Sequence, residues 1–124
     1  MAPEASRVLV VDDNVEYAQN IAEILAICGC EAEVYASAEE ALPVALAARV
    51  RAIITDYRLP GMNGIELVRR ILSERAGVRA VVISAYADET AVDTARMLGA
   101  NFLPKPVDVS ALERDGSQIG RAHV

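Results

Sequence analysis

Four short apolar runs and one weaker, mixed run recur along the chain, and each is followed by a segment that suits a helix. Such runs, rich in β-branched residues, are typical of strands buried on both faces of a parallel sheet. The predicted strands span residues 7–11, 31–36, 50–55, 78–84 and 101–103. Parallel strands need crossover connections, which the intervening helices supply with a right-handed sense. The pattern predicts a doubly wound α/β sandwich with a five-stranded parallel sheet, flavodoxin-like and of the (βα)5 type.

Capping residues mark the first two predicted helices. Asn14 can cap the first helix, and Gly29 can end it in a left-handed conformation. Ser37 opens a capping box with Glu40 at the start of the second helix, which is expected to run to about residue 48. Pro43 lies inside this helix and should cost a backbone hydrogen bond, so we expect a kink or an irregular first turn there.

The last predicted helix is short. The third and fourth helices are expected over residues 65–72 and 88–98, and a fifth can begin at residues 109–114 before an Asp-Gly-Ser sequence interrupts it. We therefore place one domain at residues 1–114. Residues 115–124 are either a natural linker or residues encoded by an expression vector. A truncated fifth helix would leave an apolar patch on the sheet that could pair with a second copy in a homodimer.

Composition disfavours several classes of function. The chain has 124 residues, enough for one domain with its own core. Its 18 acidic and 12 basic residues give a formal charge of −6, which argues against direct nucleic-acid binding. Two cysteines and one histidine cannot close a zinc site. The sequence shows neither an apolar run long enough for a membrane span nor a secretory signal, so we expect no membrane association and a cytoplasmic location.

Polar side chains stand at the ends of the predicted strands, which a parallel sheet brings to one rim. Asp12 and Asp13 follow the first strand, Asp56 the third, Ser84 the fourth, and Lys105 lies just beyond the fifth. Three carboxylates at one rim would repel one another, and a hard divalent cation such as Mg²⁺ would relieve that repulsion. Lys105 could neutralise a phosphate or the Asp56 carboxylate, and the Ser84 hydroxyl could donate to a phosphoryl oxygen.

This set of residue types suits phosphoryl transfer to Asp56. A carboxylate can attack phosphorus to form an acyl phosphate, and catalysis of that step is mostly positioning and charge neutralisation. The sequence contains no Gly-rich phosphate loop and no dinucleotide fingerprint. We therefore predict that the nucleotide of the original donor is bound elsewhere and that this chain receives the phosphoryl group.

Four motifs together resemble the signature set of receiver domains, which belong to the response regulators of two-component signalling. They are VVDDN at 10–14, DYRLPGMNG at 56–64, ISA at 83–85 and FLPKP at 102–106, within a resemblance that runs from about residue 7 to 107. The resemblance implies a phosphoprotein that receives its phosphoryl group from a histidine kinase or a phosphotransfer protein. It also implies a signalling module, in a response regulator or hybrid kinase, that switches conformation to control an output. Such a module transfers the group to itself and slowly loses it, and it is not an enzyme acting on an external substrate.

The resemblance assigns the acidic residues separate roles. Asp56 matches the phospho-accepting aspartate. Asp13 matches a direct Mg²⁺ ligand, and Asp12 matches the acidic residue that acts on the ion through water. The backbone carbonyl of Arg58 matches the third protein ligand. Mg²⁺ is thus the expected cofactor.

The remaining motif residues match the switch and the lysine of the family. Ser84 matches the hydroxyl residue that moves towards the phosphoryl group, and Phe102 matches the aromatic residue that turns inward when it does. Lys105 matches the invariant lysine, whose bond to the following proline is typically cis in the family. Arg58 and Tyr86, each two residues beyond a motif residue, are expected to border the site and to tune hydrolysis of the phosphate.

Two other functions stay open from the sequence. A phosphohydrolase of the haloacid dehalogenase type also uses an aspartyl nucleophile, but it needs a second Asp two residues later. Arg58 holds that position after Asp56, and Asn14 holds it after Asp12. A receiver-like scaffold that binds partners without phosphorylation is the third possibility, although the complete acidic set argues against it. No DNA-binding motif or catalytic histidine segment is evident in the sequence, so we expect the output to lie elsewhere.

Overall fold

Five parallel strands form the single sheet of the computed structural model, which describes residues 7–86 and 88–107. The strands are β1 (Arg7–Val11), β2 (Glu31–Tyr35), β3 (Ala52–Asp56), β4 (Arg79–Ser84) and β5 (Asn101–Pro104). Their spatial order is β2-β1-β3-β4-β5, and every adjacent pair is parallel. The predicted five-stranded doubly wound sheet is therefore confirmed.

Four helices of the described residues connect the strands. They are α1 (Val15–Ile27), α2 (Ala38–Ala47), α3 (Gly64–Glu74) and α4 (Glu89–Met97). The chain passes from β1 outward to β2 and then returns to β3 on the other side of β1. This reversal makes a crevice at the carboxyl ends of β1 and β3, where open α/β sheets bind ligands. The predicted fifth helix at 109–114 and the tail at 115–124 lie outside the described residues.

The predicted helix starts are confirmed by their capping bonds. The Asn14 side chain accepts a hydrogen bond from the Tyr17 N–H, and the Ser37 hydroxyl accepts one from the Glu40 N–H. The Asp88 carboxylate accepts from two amides of the first turn of α4. The first turn of α2 is regular, and the helix continues through Pro43. The expected irregular first turn is therefore absent, whereas a kink at Pro43 stays a prediction.

Both faces of the sheet are covered by apolar side chains. In β1, Leu9 and Val11 face the layer of α2, α3 and α4, whereas Val8 and Val10 face α1. The strands β3 and β4 divide their side chains in the same way, as expected for a central strand with alternating side-chain directions. Within the described part of the chain, no helix is long and apolar enough to cross a membrane.

Gly64, the first residue of α3, lies directly against the strand that carries Asp56. A Cβ at this position would overlap the Asp56 carbonyl oxygen and would also crowd the Thr55 hydroxyl at 3.0 Å. The Gly64 N–H donates to the Tyr57 carbonyl at 2.9 Å. The start of α3 therefore approaches the end of β3 closely, which only a residue without a side chain permits.

Gly64→Ala should destabilise the fold by about 2–4 kcal/mol, because the added methyl must displace backbone of a fully buried strand. Gly77→Ala is the matched control, since a Cβ there meets nothing within 4 Å. The control should change the free energy of unfolding by less than about 0.5 kcal/mol. Urea unfolding followed by circular dichroism compares the two, and equal stabilities would contradict the close packing at Gly64.

Candidate functional site

All the polar residues predicted at the strand ends lie at one rim of the sheet. Asp12 and Asp13 follow β1, Asp56 is the last residue of β3, Ser84 is the last residue of β4, and Lys105 follows β5. The parallel pairing of the strands brings these positions together although they span most of the chain. The predicted convergence at this rim is confirmed.

Three carboxylates form a compact group at the centre of the rim. Asp12, Asp13 and Asp56 each offer an oxygen within 4.8 Å of the others. Asp12 is fully buried, Asp56 is 7% exposed, and Asp13 is exposed. The group thus has a buried side formed by Asp12 and an open side formed by Asp13. Asp56 lies between them with part of its carboxylate accessible from solvent.

Lys105 supplies the positive charge of the group. Its Nζ donates to Asp12 Oδ2 at 2.8 Å and lies 3.3 Å from Asp56 Oδ2. The Lys105 N–H donates to the Ser84 carbonyl at 2.7 Å, which ties the loop after β5 to the end of β4. This backbone bond positions the lysine side chain over two carboxylates that are far away in sequence.

Asp12 already accepts hydrogen bonds on both of its oxygens. Oδ2 accepts from Lys105, and Oδ1 accepts from the Asn14 N–H at 2.9 Å. A buried carboxylate is tolerated when its oxygens are paired in this way. The Asp12 side chain is therefore held rigidly, and it fixes the position of the Lys105 ammonium group in turn.

Burial and neighbouring charges both shift the pKa values of Asp56 and Lys105. Burial raises the pKa of Asp56 above its ordinary value, and the Asp12 charge raises it further, against the opposing effects of Lys105 and the Arg58 amide. Burial alone would lower the pKa of Lys105, but its hydrogen bond to Asp12 and both nearby carboxylates raise it overall. The lysine therefore stays charged, while the ionised form of Asp56 is held at an energetic cost.

Ser84 and Phe102 share one face of the sheet. Ser84 is buried, and its hydroxyl oxygen accepts from the Tyr86 N–H at 3.1 Å. Phe102 pairs in register with Val82, two residues before Ser84, and is packed against the layer of α2, α3 and α4. Side chains two residues apart in a strand point the same way. The placement suits the predicted switch, whose movement stays a prediction.

Arg58 and Tyr86 border the site as expected. The Arg58 guanidinium lies over the Tyr86 ring, 5.2 Å from its centroid, and both residues are exposed. Their contact joins the loop after β3 to the loop after β4. The predicted roles of the Arg58 carbonyl in metal binding and of this pair in hydrolysis stay predictions.

The sequence alone did not identify several residues that support the site. Tyr17 contacts the segment after β5, since its hydroxyl accepts from the Val107 N–H at 3.0 Å. Glu39 accepts from the Met62 N–H at 2.8 Å, and this bond lowers the pKa of the Glu39 carboxyl. Thr55 donates its hydroxyl to the Asp56 carbonyl. The Tyr17 and Glu39 contacts each join a helix to a distant loop, so no local sequence pattern reveals them.

A family model described as the response regulator receiver domain matches residues 8–115. The chain belongs to this family. A response regulator receiver protein of Anaeromyxobacter is 42% identical over 83% of this chain and 44% of its own length. A receiver domain protein of the CheY-like type from Methanospirillum hungatei has a crystal structure with a TM-score of 0.84, at 28% identity over 90% of each chain.

Another solved relative contains a ligand-bearing site. A response regulator protein from Burkholderia pseudomallei was crystallised with a phosphorylated aspartic acid, a calcium ion and citrate. It is 27% identical, with a TM-score of 0.81 over 92% of this chain and 66% of its own. Because the chain spans only about half the length of several curated relatives, the receiver domain is the part of such proteins that it matches.

The raised pKa of Asp56 predicts a defined pH dependence of stability in metal-free buffer. Between its unfolded and folded values the native protein binds more protons, so stability falls as pH rises through that window. At neutral pH the ionised carboxylate therefore costs stability, and Asp56→Asn should raise the melting temperature. Thermal unfolding with a chelator, from pH 4 upward, tests this.

Asp93→Asn is the control for this experiment, because Asp93 is an exposed carboxylate on α4. Its stability should follow that of the wild type at every pH. A melting temperature of Asp56→Asn at or below that of the wild type at neutral pH would contradict the electrostatic cost assigned to Asp56.

Proposed function

We propose that this receiver domain accepts a phosphoryl group on Asp56 from a phosphohistidine, in a reaction that depends on Mg²⁺. The donor would be a histidine kinase or a phosphotransfer protein. The observation that carries the proposal is the placement of Asp56 within 4.8 Å of two further carboxylate oxygens and 3.3 Å from the Lys105 ammonium. Receiver domains are signalling modules, and this geometry supplies what such a module needs to receive a phosphoryl group.

The donor set fits a hard divalent cation. Three carboxylates face one ammonium group, which leaves two negative charges to balance. Asp13 and Asp56 would bind the ion directly, together with the Arg58 carbonyl, and Asp12 would act through water. The occupied oxygens of Asp12 support that indirect role. When bound, Mg²⁺ neutralises charge that develops on the phosphoryl oxygens.

The chain's own residues would perform the transfer in a simple sequence. A carboxylate oxygen of Asp56 attacks phosphorus, the bond from phosphorus to the donor nitrogen breaks, and its electron pair remains on the imidazole. Formation of the acyl phosphate removes the negative charge of the Asp56 carboxylate. Lys105 lies close enough to pair with a phosphoryl oxygen instead. The partial burial of Asp56 limits access of water to the product.

The relative from Burkholderia pseudomallei supports the same chemistry by analogy. That protein carries a phosphorylated aspartic acid together with a divalent ion on a closely similar fold. The three-carboxylate rim of this chain offers the same kinds of group. The phosphohydrolase alternative is weaker, because the position for its acid is held by Arg58, an exposed cation over Tyr86.

The output of the domain would follow from a two-state switch. We expect phosphorylation to draw the Ser84 hydroxyl towards the phosphoryl group and to bias Phe102 inward. The signal would pass to an effector in a response regulator or hybrid kinase, or through a homodimer. The domain would act in the cytoplasm, where kinases of this type present their phosphohistidine.

Acetyl phosphate with Mg²⁺ should add the mass of one phosphoryl group to the protein, measured on the intact chain. Asp56→Asn should abolish the adduct, since the nucleophile is gone. Asp13→Asn should slow its formation at least about tenfold by weakening metal binding. Asp93→Asn should react like the wild type. An equal adduct in Asp56→Asn, or one that forms fully in the presence of a chelator, would contradict the proposal.

A further inference from the structure

Tyr17 touches the lysine-bearing segment in two places. Its ring lies beneath Lys105, with Nζ 4.8 Å from the ring centroid. Its hydroxyl accepts a hydrogen bond from the Val107 N–H at 3.0 Å, two residues beyond the lysine. One side chain of α1 therefore contacts both the charge and the backbone of the segment after β5.

The position of Tyr17 is itself fixed by the site. The Tyr17 N–H donates to the Asn14 side chain at 3.2 Å, and the Asn14 N–H donates to Asp12 Oδ1 at 2.9 Å. Lys105 donates to the other oxygen of Asp12. These contacts close a ring that runs from Asp12 through Asn14 and Tyr17 to Lys105 and back to Asp12. The helix cap and the lysine are thus parts of one arrangement.

We propose that Tyr17 is a positioning residue that holds Lys105 over the acceptor carboxylate. An ammonium on a four-carbon stem has many rotamers, and the Lys105 side chain here is still 18% exposed. The aromatic face attracts the cation and limits its hydration on that side. The hydroxyl bond to Val107 fixes the backbone from which the stem extends.

Tyr17 has this effect only through the lysine. On phosphorylation, Lys105 must turn from carboxylate oxygens to a phosphoryl oxygen while remaining at the same rim. A flat aromatic face allows the ammonium to shift by a short distance without losing the contact. The Tyr17 side chain contacts Lys105 and Val107 rather than the residues proposed to bind the metal, so this role predicts slower transfer with unchanged affinity for Mg²⁺.

This inference rests on the proposed function, and a double-mutant cycle of Tyr17→Leu and Lys105→Met tests it. Tyr17→Leu should slow phosphorylation by acetyl phosphate about fivefold, the order expected for loss of one cation–π contact and one hydrogen bond. In the Lys105→Met background the same change should have no further effect. Tyr17→Phe, which keeps the ring, should retain more than half of the rate.

Two further measurements separate positioning from a general structural role. Magnesium affinity, measured by calorimetry, should be the same in Tyr17→Leu as in the wild type. Tyr35→Leu is the matched control, because the Tyr35 hydroxyl donates to Glu33 and not to the lysine segment. This control should leave the phosphorylation rate unchanged. An equal loss of rate from Tyr17→Leu with and without Lys105 would overturn the inference.

The same four proteins of the cycle are unfolded in urea, which gives a result that does not depend on phosphorylation. The two substitutions should be non-additive, since each removes the same contact. Strict additivity in stability would overturn the inference even if the chain accepted no phosphoryl group. If the wild type is not phosphorylated but the coupling is present, the proposed function fails and the contact between Tyr17 and Lys105 stands.

Discussion

The paired contacts of Lys105 with Asp12 and Asp56 hold the functional rim together. Without this cation, a fully buried carboxylate and a nearly buried one would face each other with no positive charge between them. Such an arrangement is costly in a partly desolvated site. Lys105 offsets part of the negative charge of Asp12 and Asp56. It does not neutralise the whole group, because Asp13 adds a third negative charge. We propose that the remaining imbalance gives the site an affinity for a divalent cation.

The fold places this lysine by simple topology. Parallel strands direct all their carboxyl ends to one rim, and β4 separates β3 from β5. The backbone bond from Lys105 to Ser84 then brings the loop after β5 back over β4, towards the carboxylates of β1 and β3. The close approach of Gly64 to the Asp56 carbonyl fixes the start of α3 against the end of β3. Stability and function thus depend on the same few backbone contacts.

Much of this arrangement could be predicted from the sequence, because both the sheet and the rim follow from local patterns. Buried β-branched runs define the strands, and the polar residue after each run marks its carboxyl end. Cap residues such as Asn14 and Ser37 likewise predict where the helices that follow them begin. The contacts of Tyr17 with Val107 and of Glu39 with Met62 could not be predicted. These contacts join elements whose relative position is set only by packing. A tyrosine or a glutamate on a helix does not by itself indicate which distant loop it contacts.

We propose that Asp56 accepts a phosphoryl group beside a metal held by Asp13. A crystal structure of the protein with Mg²⁺ and beryllium trifluoride, an analogue of the phosphoryl group, tests it most directly. We expect the analogue on a carboxylate oxygen of Asp56, the ion between Asp13 and Asp56, and Lys105 Nζ beside a fluorine. An analogue bound at another carboxylate, or an ion bound away from this rim, would contradict it.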